Sequence, residues 1–280
     1  MSRIAERFST LKNDGRCALV PYITAGDPHP DNTVEIMHTL VEAGADIIEL
    51  GVPFSDPMAD GSVIQAAHER ALEHHTSLSS ILHMVSEFRQ NDDQTPVLLM
   101  GYANPIECMG YEIFVERAVQ AGVDGVLTVD LPPEEGTEFD EMLQKKELDP
   151  IYLLSPTTTE ARIKRITEVA SGFLYYVSLK GVTGAGNLDV QSVKEKLDVI
   201  REVTDLPLGV GFGISDAQSA ANVAKIADAV VVGSALIRII EANQDDMEQV
   251  NKQLFELVQS MREAIDDTLG YGQQKQVGLT

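Results

Sequence analysis

The sequence predicts an α/β protein, a single (β/α)8 barrel spanning residues 1–280, with an added N-terminal helix and extra helices after the second and eighth strands. Three observations carry this. Short β-rich runs alternate with helical patterns of about 10–15 residues, as in successive βα units on a parallel sheet. Eight such runs can be counted. A length of 280 residues matches one such barrel, about 250 residues plus additions, and right-handed crossovers favour closure over a large doubly wound sheet.

The strands are expected near Ala18–Thr24, Asp46–Gly51, Val97–Tyr102, Gly125–Val129, Asp149–Leu154, Phe173–Ser178, Pro207–Gly211 and Asp228–Gly233. Between them the apolar spacing predicts helices including Thr33–Ala43, Ser62–His74, Ile113–Ala121, Thr159–Ala170, Val190–Val203 and Asp216–Ile226. Ser2–Asn13, Thr76–Asn91 and Met247–Asp267 read as helices additional to the eight units, and the polar stretch from Gly270 as a frayed tail. A weak repeat supports the count. Ala43-Gly44-Ala45-Asp46, Ala121-Gly122-Val123-Asp124 and Ile226-Ala227-Asp228 each end a helix and open a strand. The first two share a glycine that ends a helix at little cost in the left-handed conformation.

Composition narrows the function classes. Hydrophobic residues make up 44 %, aromatics only 5 %, with no Trp, which suits a core of Val, Ile, Leu and Ala between parallel strands and helices. The balance of 21 basic against 44 acidic residues leaves a net charge of −23, which repels nucleic acid and anionic membranes. A solvated acidic surface is the plain reading of that excess. Salt adaptation is the alternative, and it predicts a melting temperature that climbs from dilute buffer to molar KCl. Cys17 and Cys108 have no Cys-x-x-Cys partner, so neither a disulfide framework nor a zinc site is expected. With no signal-peptide core at the N-terminus and an apolar run, Ala229 to Ile237, too short to span a bilayer, a cytoplasmic protein is expected. The six histidines, at 29, 38, 68, 74, 75 and 83, lack metal-ligand spacing. No P-loop and no Gly-x-Ser-x-Gly elbow occurs.

The residue that demands explanation is Glu49, inside the apolar run Ile47 to Val52. Burying even a neutral polar group without a partner costs about 2–7 kcal/mol. Strand alternation puts Ile47, Glu49 and Gly51 on one face, so in a closed barrel the carboxyl can point into the interior. Asp60 follows on the next loop, where it is either a helix N-cap or the second member of an acid and base pair. Gly211-Phe-Gly-Ile-Ser215 and Gly233-Ser-Ala-Leu236, after the seventh and eighth strands, match the usual phosphate site of such barrels. Leu179 to Asn187, rich in glycine, suits a closing lid. Tyr22, Tyr102 and Tyr175 sit on or beside strand ends, where rings either wall a planar ligand or simply pack.

The segment Ile48-Glu-Leu-Gly-Val-Pro-Phe-Ser-Asp-Pro-Met-Ala-Asp-Gly61, with Pro21-Tyr-Ile-Thr-Ala-Gly-Asp-Pro28, Gly181-Val-Thr-Gly184, Gly211 to Ser215 and Val232-Gly-Ser234, resembles the tryptophan synthase alpha subunit family over essentially the whole chain. Leu179 and Lys180 depart from the residues many relatives carry. The resemblance implies retro-aldol cleavage of indole-3-glycerol phosphate to indole and glyceraldehyde 3-phosphate, with no metal or organic cofactor. It implies Glu49 as general acid and base, Asp60 as the group that meets the indole N–H, and Tyr22, Ile64, Met100, Leu127, Tyr175 and Thr183 as substrate-binding residues. Gly184, Gly213, Gly233 and Ser234 would bind phosphate. Pro53, Phe54, Asp56 and Pro57 would face a pyridoxal-phosphate-dependent beta subunit in an α2β2 heterotetramer. A non-catalytic regulatory subunit, or a barrel enzyme acting on another sugar phosphate, are the competing readings.

Overall fold

The computed structural model describes residues 2–177, 190–211 and 213–271. Eight parallel strands close into a barrel in chain order. They are β1 (Ala18–Thr24), β2 (Ile48–Gly51), β3 (Val97–Gly101), β4 (Gly125–Thr128), β5 (Asp149–Leu154), β6 (Leu174–Val177), β7 (Leu208–Gly211) and β8 (Ala229–Val232). All eight expected strands are present, most of them trimmed by a residue or two. Ser178 lies outside the described residues.

Helices among the described residues form the outer layer. They are α1 (Arg3–Asn13), α2 (Thr33–Glu42), α3 (Ser62–Glu73), α4 (Leu78–Phe88), α5 (Ala103–Met109), α6 (Tyr111–Ala121), α7 (Pro133–Lys145), α8 (Glu160–Thr167), α9 (Val190–Arg201), α10 (Ala217–Ala224), α11 (Ser234–Ala242) and α12 (Met247–Leu269). The extra helices after β2 and β8 are α4 and α12. Two helices, α5 and α7, are missing from the sequence expectation. Pro132-Pro133 and Gly136 read locally as loop punctuation. In the fold Pro133 opens α7, where a missing N–H costs nothing, and Glu134 and Glu135 meet the positive end of the helix.

Strand alternation divides the core in two. Ile48, Leu50, Leu99, Val126, Val210 and Val230 face outward and pack with the helices. Ala18, Val20, Ile47, Leu98, Leu127, Ile151, Phe173, Ala229 and Val231 fill the barrel together with Ile4, Phe8 and Leu11 of α1. The ring centroids of Phe8 and Phe173 lie 5.6 Å apart. Helix α1, capped by the Ser2 hydroxyl accepting from Ala5 N–H, therefore plugs the N-terminal mouth. A substrate has only the C-terminal mouth to enter. A cleft of about 530 Å³ does lie at the plugged end, lined by Phe8, Lys12, Gln144, Asp149 and Asp205 among others, but none of its side chains carries a buried unpartnered polar atom.

The repeated aspartates have one shared job. Asp46, Asp124 and Asp228 each precede a strand, and each carboxylate accepts the N–H of the neighbouring strand's first or second residue. The bonds run from Leu19, Val97 and Leu208 at 2.8 to 2.9 Å. Among the described residues no helix is long and apolar enough to cross a membrane.

Candidate active site

Glu49 sits midway along β2, beside Tyr22 of β1 and Leu98 of β3 in the strand register. Neighbours in register on parallel strands share a face, so the carboxyl points into the barrel above Ile47. It is 1 % exposed, and among the described residues neither oxygen has a hydrogen-bond partner. Burial, helped by the nearby negative charge of Asp60, pushes its pKa up from 4.5 to about 8. Desolvation disfavours the ionised form, so at neutral pH this is a carboxylic acid with a proton to give.

Asp60 has the opposite surroundings. Its carboxylate accepts the Tyr102 hydroxyl at 2.7 Å. Burial holds its pKa above the ordinary carboxylate value, partly offset by the hydrogen bond from Tyr102. The N-cap of α3 is Gly61, with no side-chain cap bond, so Asp60 does not serve as that cap. Instead its carbonyl accepts from Gln65 Nε2 at 2.8 Å. The side chain is thereby free for the mouth of the barrel. Tyr102 also accepts Ala59 N–H at 3.1 Å and stacks on Phe54 with ring centroids 5.3 Å apart.

Glycines make room for the two inward tyrosines. A Cβ on Gly51 would lie 2.2 Å from the Tyr22 hydroxyl, and one on Gly211 would lie 2.3 Å from that of Tyr175. Side chains at these positions would displace the rings that wall the cavity. Tyr22 also lies against Gly233, whose added Cβ would stand 3.4 Å from its ring. Both phenols are held well above their ordinary pKa, first by burial and then by repulsion from carboxylates including Glu49. Both rings therefore face the same space as Glu49. Met100 and Leu127 are register neighbours on β3 and β4, packed in the barrel interior with Tyr175. Ile64 is half-buried on the first turn of α3.

Gly213, at φ +72°, follows β7, and Gly233 and Ser234 join β8 to α11. The free N–H groups at the start of α11 stand at the same mouth, where an anion is favoured. Thr183, Gly184, the rest of the 179–187 segment and Phe212 lie outside the described residues. On the loop after β2, Pro53 is buried and Phe54 and Pro57 half-buried. Asp56 is exposed and bonded to the Ser55 hydroxyl at 2.6 Å. The loop's outward apolar group is therefore Met58, 79 % exposed, rather than Pro53 or Phe54. The sequence marks Tyr102 as a strand-end ring and His68 only as a histidine without metal spacing; the structure adds that Tyr102 bonds Asp60 and His68 lies against Tyr22.

A (β/α)8 barrel closed at one end, with two buried or half-buried carboxyl groups in different surroundings at the other, is the architecture of an enzyme whose substrate enters from the strand C-termini. Comparison with known proteins makes this particular. A family model described as "Tryptophan synthase alpha chain" matches residues 8–266. The tryptophan synthase alpha chain of Thioalkalivibrio sulfidiphilus is 63 % identical, over 95 % of this chain and 100 % of that one. That of Methylococcus capsulatus is 58 % identical over the same shares. The crystal structure of tryptophan synthase subunit alpha from Legionella pneumophila superposes with a TM-score of 0.90 at 48 % identity, covering 95 % of this chain and 99 % of that one. A structure described as the tryptophan synthase α2β2 complex of Pyrococcus furiosus matches at 37 % identity and a TM-score of 0.81, covering 88 % and 98 %. The chain belongs to the tryptophan synthase alpha chain family. Its reaction is the lyase cleavage of indole-3-glycerol phosphate to indole and glyceraldehyde 3-phosphate.

Proposed function

We propose that Glu49 is the general acid and base of this cleavage and that Asp60 steadies the charge on the indole nitrogen. The observation that carries the reading is the unpartnered, buried Glu49 carboxyl with its pKa near 8. In its protonated state Glu49 delivers a proton to indole C3, which leaves the positive charge on the ring nitrogen. The Asp60 carboxylate, held by Tyr102, accepts a hydrogen bond from that N–H and stabilises the cation as it forms. The Glu49 carboxylate then takes the proton of the glycerol hydroxyl. The carbon–carbon bond breaks, its electrons return to the ring, and the hydroxyl carbon becomes the aldehyde. Glu49 ends as it began, protonated, so the cycle balances without further reactants.

Tyr22, Met100, Leu127 and Tyr175, with Ile64 at the rim, wall the indole. Gly213, Gly233 and Ser234 take the phosphate at the start of α11, joined by Thr183 and Gly184 on the family pattern. The loop carrying Pro53, Phe54, Asp56 and Pro57, with Met58 exposed, meets a beta subunit in an α2β2 assembly, as the Pyrococcus furiosus complex supports. The chain acts as one catalytic domain and works in the cytoplasm.

The test is indole release from indole-3-glycerol phosphate by the purified chain, with and without a beta subunit, beside Glu49→Gln and Asp60→Asn. Release that the partner enhances and both substitutions abolish supports every assignment. Undiminished release by Glu49→Gln overturns the acid–base role. Partner activation without any indole release would instead establish a regulatory subunit.

A further inference from the structure

His68 of α3 is 3 % exposed and lies between two parts of the site. Its Nδ1 accepts the Phe54 N–H at 3.2 Å. Its Nε2 lies 3.3 Å from the Tyr22 hydroxyl, which in turn lies 3.2 Å from the Thr24 hydroxyl. A neutral imidazole that accepts at Nδ1 carries its proton at Nε2, so His68 donates to Tyr22. Burial favours that neutral form by lowering the imidazole pKa, although Asp60 opposes it.

The contacts continue past the histidine. The Phe54 ring stacks on Tyr102, and Tyr102 donates to Asp60. A continuous series of contacts thus runs from the wall of the indole pocket, through one imidazole, to the loop that carries Asp60. We propose that His68 is a positioning residue for the lyase reaction, holding Tyr22 with one ring nitrogen and the Asp60 loop with the other. This rests on the roles given above to Asp60 and Tyr22. A loop freed at Phe54 loosens the stack on Tyr102 and lets Asp60 drift from where charge develops, which costs rate more than binding.

The experiment measures kcat and KM for indole-3-glycerol phosphate on the purified chain with a beta subunit, for His68→Leu, His68→Asn, Asp60→Asn, Tyr22→Phe and the Tyr22→Phe, His68→Leu pair. Loss of two ordinary hydrogen bonds lowers kcat about tenfold in His68→Leu, with KM moved less than about threefold. His68→Asn, whose amide oxygen can replace Nδ1 as acceptor for Phe54 N–H, recovers kcat to within about threefold of the unsubstituted chain. The paired variant is at most about twofold slower than His68→Leu, since the two side chains act through one contact. If His68→Leu does not fold, His68→Gln replaces it: its amide imitates the Nε2 side and not the Nδ1 side, so one hydrogen bond is lost and kcat falls more than about threefold, while kcat within about twofold overturns the proposal. A purely structural histidine would lower the melting temperature and leave kcat of the folded protein within about twofold, which would overturn the proposal. So would an Asn variant as impaired as Leu. If Asp60→Asn keeps full kcat, the underlying reading of the site fails. If Asp60→Asn is crippled and His68→Leu is not, only the role of His68 fails.

Discussion

At the N-terminal mouth, Asp124 is 4 % exposed and accepts from Arg3 at 2.7 Å, Arg89 at 2.6 Å and Val97 N–H at 2.8 Å. At the C-terminal mouth, Glu49 is 1 % exposed and accepts from no donor among the described residues. Asp46 resembles Asp124, with Arg262 and Leu19 N–H both at 2.9 Å. Depth of burial is therefore the same at both ends, and the supply of donors differs. A buried carboxylate ringed by guanidinium and amide donors fastens strands together. One left without donors keeps its proton and becomes an acid. The comparison separates structural from chemical carboxyl groups without reference to the ligand.

Substitution at the two mouths should give opposite results. Glu49→Gln is expected to lower kcat for indole release by about 10²–10⁴-fold, the usual worth of a positioned acid–base group, while leaving the fold intact. It should also stabilise the protein at high pH. The folded chain keeps on Glu49 a proton that the unfolded chain loses near pH 4.5, up to about pH 8. Stability attributable to this group therefore declines as pH rises through that window and levels off above it. Thermal melts at pH 9 should place Glu49→Gln about 5 °C or more above the unsubstituted chain; equal or lower values would show that Glu49 has a partner after all.

Arg89→Met at the opposite mouth should do the reverse. Arg89 also donates to Gly122 and Thr95 carbonyls at 2.9 and 2.7 Å, and its loss leaves Asp124 with less compensation. A stability loss of about 3–5 kcal/mol is expected from urea unfolding, with kcat of the remaining folded protein unchanged. A large kcat effect would erase the distinction between the two ends.

The pH profile sharpens it further. Because the acid must carry its proton, kcat/KM should fall about tenfold per pH unit above a point near 8. An alkaline limb unaltered by Asp60→Asn in residual activity would remove that aspartate from the neighbourhood of Glu49, since its charge is the second cause of the raised pKa. The smallest effect is expected for Tyr102→Phe. It removes the hydroxyl's hydrogen bond to the Asp60 carboxylate, worth about 1.5–3 kcal/mol at most, and the one it accepts from Ala59 N–H, and should lower kcat roughly tenfold. Steady-state kinetics beside a thermal melt would separate the effect on rate from that on stability.

Much of this was legible in the chain itself, for particular reasons. The Gly-x-Asp repeats at 44–46 and 122–124 mark where helices end and strands begin, because Gly122 adopts the left-handed cap at φ +86° and the aspartates accept from the next strand. Glu49 stood out because alternation with Ile47 and Gly51 placed it on one face of an apolar strand. Helices α5 and α7 were not legible, since Pro105, Pro133 and Gly136 carry local signals for turns that tertiary packing of Ile106, Phe139 and Leu143 overrides.

By itself, then, the sequence determined the barrel, the order of its strands, the family and the two carboxylates, because periodicity and short motifs are local properties of the chain. Only the tertiary structure decided which buried carboxyl groups are supplied with donors and which are not. That depends on donors brought from distant segments, Arg3 and Arg89 to Asp124, Tyr102 to Asp60, His68 to Tyr22, and on none among the described residues reaching Glu49. A pKa is set by the surroundings of the side chain in space, and those surroundings exist only once the barrel has closed.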